Sequence, residues 1–199
     1  LEAALAEAVH AGTVELQLVN DATPATLEHG LAAGPVHILH CAAPVAYTTR
    51  GAPHLLLRRG MDLFGLAGLL ADAKQLRLVT LTGPQGDAQL LNPTLPTLAT
   101  ALLSPTLPAT IAFGGTLPAR LAARFAAQCY LALAANQPID LAVTAGRRAL
   151  AEFEEGRGWG MPQLRIAPAS TQLFLVKKGR QQTNRLWRGA AIGGAGLVL

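Results

Sequence analysis

Serine and cysteine, the usual nucleophiles of hydrolases, are almost missing from this chain: two of each in 199 residues. Ser104 and Ser170 sit in no strand-to-helix turn, and no Gly-x-Ser-x-Gly elbow occurs. Cys41 and Cys129 make neither a disulfide framework nor a zinc-ligand spacing, so a reducing, cytoplasmic setting is the expectation. The body also lacks a P-loop and a dinucleotide fingerprint, and no cofactor is expected. Charge is scarce as well: 14% of residues against 51% hydrophobic, a balance that points to a large core, an interface or a membrane neighbour. No secretory signal is visible at the start, which carries acids and lacks a basic-then-apolar order. Leu1 in place of Met suggests a piece of a longer protein.

The formal net charge of +4 is unevenly spread. Residues 171–199 hold Lys177, Lys178, Arg180, Arg185 and Arg188 and no acid, leaving eleven bases against twelve acids elsewhere. A nearly neutral body argues against a nucleic-acid-binding face, which needs clustered basic residues on its own surface. In the tail, the bases and Trp187 precede eleven uncharged residues, Gly189–Leu199. That order is the cytoplasmic approach to a membrane helix, although about 20 apolar residues are needed to cross. The expectation is a domain over 1–170, then a basic tail (171–199) leading into a truncated anchor that tethers the protein to the inner face of a membrane. The plainer reading is a Gly-rich terminus packed on the domain.

The body alternates strands and helices. Leu78–Asp87 is the key stretch: an apolar strand with no polar side, buried on both faces, broken abruptly by Gly83, Pro84 and Gly86. Ligands collect beyond the carboxyl end of such strands. Thr13–Asn20 alternates as an edge strand, Val36–Ala42 and Ala109–Phe113 read as further strands, and Leu164–Ile166 as the last in the body, with Gln172–Val176 a candidate to finish the sheet. Tyr47–Arg59 suggests a hairpin or short strand. Helices are predicted over Leu1–Ala11, from Pro24 with Asp21 or Thr23 as cap, and over Met61–Ala73, Leu95–Leu103, Leu117–Ala135 and Pro138–Glu155. This order implies an α/β fold with a mostly parallel sheet covered by helices on both faces.

Few groups offer chemistry. His37-x-x-His40 has the look of a metal pair, but residues three apart on a strand point to opposite faces, so no metal is expected. Cys41 diverges from His40 for the same reason, and Cys129 reads as a small buried apolar residue. The turn at Gly83–Gly86 has a phosphate-cradling composition without an adjacent Lys or Arg; Arg50 is the nearest cation in a nucleotide- or phosphate-sensing reading.

Over Thr13–Ala167 the chain resembles the CHAT domain, a caspase-like peptidase module. The most specific stretch is Leu121–Leu164, with FAAQCYLALAANQPIDLAVTAGRRALAEF and then GRGWGMPQL. PVHILHCAAPV is similar to the family's His-bearing strand, LVTLTGPQGD to its Cys-bearing strand, and MDLFGLAGLL to the helix between them. The resemblance implies a three-layer caspase-like sandwich. It places His40 at the family's first, non-catalytic histidine, Pro44 at its catalytic histidine and Pro84 at its nucleophilic cysteine. Proline has no titratable group and no N–H, so a Cys–His dyad is missing at these positions. The expectation is a pseudo-peptidase that binds a protein or peptide partner, with a groove lined by His40, Pro44, Tyr47, Thr82, Gly83, Pro84 and Gln85. The rival enzyme reading relocates the dyad to Cys41 and His54.

Overall fold

The computed structural model describes residues 1–20, 22–43, 45–47, 53–55, 57, 61–83, 94–115, 117–153, 158–167, 171–175 and 188–193. Helix α1 (Glu2–His10) leads into strand β1 (Glu15–Asn20). The second helix, α2 (Pro24–Ala32), starts where a proline with preset φ follows a good cap. Of the two predicted caps, Thr23 does the work: it accepts from the Thr26 N–H at 3.1 Å while the Thr26 hydroxyl accepts from the Thr23 N–H at 2.8 Å. Asp21 lies outside the described residues.

Strand β2 (Ile38–Ala42) is followed by three short strands, β3 (Val45–Tyr47), β4 (Pro53–Leu55) and β5 (Met61–Asp62), which pair antiparallel as a separate small sheet. The predicted hairpin is thus part of a three-stranded unit. Met61 and Asp62 close it instead of opening the next helix, α3 (Leu63–Asp72), because the Asp62 carboxylate caps the Gly65 N–H at 2.7 Å. Then come β6 (Leu78–Thr82), α4 (Thr94–Ala101), β7 (Ala109–Phe113), α5 (Ala119–Ala134), α6 (Ile139–Ala151) and β8 (Pro162–Ile166). Asn136, at φ 63°, takes the left-handed conformation that stops α5. Helix α6 ends at Ala151, short of the predicted Glu155.

Residues 172–175 do not form the strand expected there. The sheet is completed instead by β9 (Arg188–Gly193), within the stretch that the sequence assigned to a membrane approach. The six strands run in the order β1-β9-β2-β6-β7-β8, all parallel except β8. Main-chain pairing on both sides satisfies the peptide groups of β9. Among the described residues, no helix is long and apolar enough to cross a membrane.

Strand alternation divides the core. Leu39, Cys41, Val79, Leu81 and Ala112 face α2, α3 and α4; Ile38, Leu78, Ile111 and Phe113 face α1, α5 and α6. On the second face α5 and α6 approach closely at Gly146: a Cβ there would lie 2.6 Å from Phe125 Cδ2 and 2.9 Å from its carbonyl oxygen. Phe125 in turn meets Phe113 edge-on, centroids 5.2 Å apart. This is a three-layer α/β sandwich with a mostly parallel sheet.

Candidate functional site at the ends of β2 and β6

Burying a polar side chain costs free energy unless it finds partners, so the buried polar residues mark where sequence and packing disagree. Among the described residues they are His40, Thr80, Thr82 and Thr110. Thr110 donates to the Ala99 carbonyl at 2.9 Å, tying β7 to α4. The other three gather on the α5 side of β2 and β6. Strand alternation puts Thr80 and Thr82 on one face, and the parallel register sets His40 beside Thr80.

Tyr130, from α5, closes the set. Its hydroxyl donates to Thr80 Oγ1 at 3.0 Å, which leaves its oxygen to accept from His40 Nδ1 at 2.9 Å. His40 Nε2, 3.1 Å from Thr82 Oγ1, then accepts from that hydroxyl. The imidazole is thus a neutral tautomer protonated on Nδ1, with both nitrogens engaged. Its pKa agrees: burial lowers His40 from 6.5 to about 4. Burial raises the Tyr130 phenol well above its usual range, partly offset by its bond to Thr80. A histidine held this way is a structural bridge between sheet and helix, and serving as a base would require breaking the network.

Both thiols are buried. Cys41 belongs to the opposite face, and burial pushes its pKa up to about 12. Cys129 is buried on α5 and raised likewise. Both thiols stay protonated at neutral pH, and it is the thiolate that attacks. His37 lies ahead of β2, its pKa lowered by partial burial and by Arg77. No group of three metal-ligating side chains occurs among the described residues.

Of the residues singled out from the sequence, the structure brings His40 and Thr82 together and sets Gly83 directly after them. Tyr47 is in β3 and His54 in β4. Pro44, Pro84 and Gln85 lie outside the described residues, as does Arg50. What is described is the pair of strand ends from which the two prolines follow: Ala42 pairs with Thr82, and the Ala43 N–H donates to the Thr82 carbonyl at 3.0 Å. Tyr130 and Thr80 carry little signal in the sequence. The available signal was a lone phenol in the apolar stripe of α5 and a threonine two before Thr82 on the same strand face.

A mostly parallel sheet layered between helices is the arrangement that the resemblance implied. The CHAT domain family model matches residues 2–191. The chain belongs to the CHAT domain family. The match runs into β9, so the strand beside β2 belongs to the CHAT domain itself, and the domain is one related to caspase-like peptidases. No curated protein matches the chain.

Proposed function

We propose that this CHAT domain cleaves no peptide and works as a protein- or peptide-binding, regulatory module of a larger protein. One observation carries the reading. Two strand ends lie side by side, joined by the Ala43 bond to Thr82, and the resemblance assigns the residues that follow them, Pro44 and Pro84, to the family's histidine and cysteine positions. Adjacent strand ends are where a thiolate and an imidazole would have to exchange a proton, and proline supplies neither. The buried, protonated thiols of Cys41 and Cys129 and the fully engaged His40 support the same conclusion. Without the chemistry, the strand ends at Ala43 and Gly83 keep their use as the place where an extended segment is held.

The test has two arms. Incubation with a broad peptide mixture, read by mass spectrometry, is expected to give no new termini. Cleavage that disappears in Cys41→Ala or His54→Ala would overturn the reading in favour of a relocated dyad. A peptide-library screen is expected to enrich a sequence family whose binding weakens on Thr82→Ala. An empty screen, together with an empty partner pull-down, counts against the binding role.

A further inference from the structure

A sheet edge invites another strand unless it is guarded, and the two edges of this sheet differ. On β8 the bonds Gly114 N–H to Met161 O and Ala167 N–H to Pro108 O turn Met161, Gln163, Arg165 and Ala167 toward β7. The alternate residues Pro162, Leu164 and Ile166 therefore face outward. Pro162 has no N–H, its carbonyl accepts from Arg147 Nη2 at 2.6 Å, and the Leu164 carbonyl accepts from Arg165 Nη1 at 3.3 Å. That edge is largely occupied by the chain's own guanidinium groups. The opposite side is built differently, because β1 does not pair with β2. All of its pairing to the sheet passes through β9, six rungs to β1 and five to β2. The sequence of β9, Arg-Gly-Ala-Ala-Ile-Gly, offers one large apolar side chain, whereas β6 is buried along its whole length with three. A strand so poor in apolar side chains is held by main-chain pairing, which any extended small-residue segment can reproduce. If β9 leaves, two facing strand edges are exposed with a one-strand gap between them.

We propose that the interval between β1 and β2 is a strand-acceptor site, and that Arg188–Gly193 of one copy of this chain exchanges into the same interval of a second copy. The exchanged pair keeps every rung that the single chain makes, which is why swapping an identical element is a low-cost route to a dimer. The twelve residues from 176 to 187 that precede β9 span up to ~40 Å when extended, enough to reach a neighbour lying alongside. This interaction surface is separate from the crevice beyond β2 and β6, and it holds whether or not the domain cleaves peptides.

Cross-strand disulfides test it in the full chain. Gln17 and Ala190 are register partners, about 5 Å apart in a parallel pair and so within disulfide range. Gln17→Cys and Ala190→Cys proteins are purified separately, mixed and mildly oxidised; the native thiols are buried and do not compete. A bond between residues 17 and 190 of different molecules forms when β9 of one lies beside β1 of the other. The expected result is a reducible heterodimer in at least about tenfold higher yield than from Gln17→Cys mixed with Gly193→Cys, whose positions are offset by about 10 Å along the strand. Asn20→Cys with Gly193→Cys is a second in-register pair and decides the matter should Ala190→Cys fail to fold. Yields no greater than the offset mixture overturn the proposal.

Discussion

The same two strands, β2 and β6, build two unlike faces. Toward α2, α3 and α4 they offer Leu39, Cys41, Val79 and Leu81, and the cluster they join is filled by leucine, alanine and methionine. Toward α5 they offer Ile38 and Leu78 and then, nearer the functional end, His40, Thr80 and Thr82. The apolar face depends on volume and tolerates any arrangement that fills it. The polar face depends on geometry: each of its groups is buried, and each relies on a partner from another element. A polar network that close to the site positions the strand ends, while the apolar face supplies most of the burial that holds the sheet together.

Substitutions can break this contrast. The largest effect is expected on the apolar face, where Leu81→Ala removes a fully buried side chain and costs about 2–5 kcal/mol, measured by urea unfolding. Acid attacks the polar face through its buried imidazole. His40 titrates at about 4 folded against 6.5 unfolded, so its contribution is complete above 6.5. As pH falls through that window the unfolded chain takes the proton first, and about 3 kcal/mol of stability is lost by the time pH drops below the folded value. His37, also lowered, adds in the same direction. Unfolding midpoints from pH 7 to 4 check this, and His40→Gln should flatten the acid loss; an unchanged slope would mean another group is responsible.

The remaining comparisons are finer. Gly146→Ala drives a methyl into Phe125 and should cost about 1–3 kcal/mol by thermal unfolding, more than an exposed glycine-to-alanine change would. Tyr130→Phe leaves His40 Nδ1–H and Thr80 without their partner for about 1–3 kcal/mol. A double-mutant cycle with Thr82→Val should reveal coupling between the two, whereas Tyr130→Phe and Leu81→Ala should be closer to additive. The smallest effect, about 1 kcal/mol, is expected from Thr23→Ala at the cap of α2, away from both faces.

Much of this architecture is legible in the chain. Alternation in Thr13–Asn20 marks β1 as an edge strand, the apolar run before Gly83 marks β6, and the stripes of α5 and α6 mark the helices that cover one face. Local rules also mark Thr23 and Pro118 near helix starts. The resemblance to CHAT domains rests on motifs in these same segments. At the site, His40 and Thr82 stand out because each polar residue interrupts or ends an apolar strand. Two features were illegible. Tyr130 is ninety residues from His40 in sequence, and periodicity says which helix face it occupies, not what it meets. Arg188–Gly193 looks like an uncharged, Gly-rich tail, because small residues carry no strand signal and main-chain pairing is blind to side-chain identity.

Sequence alone therefore determined the layers, since burial periodicity and capping are written in neighbouring residues. Tertiary structure decided which strand fills the interval beside β2 and which phenol holds the buried imidazole. Both choices depend on partners brought together by folding, and their free energy resides in hydrogen bonds that no local window contains.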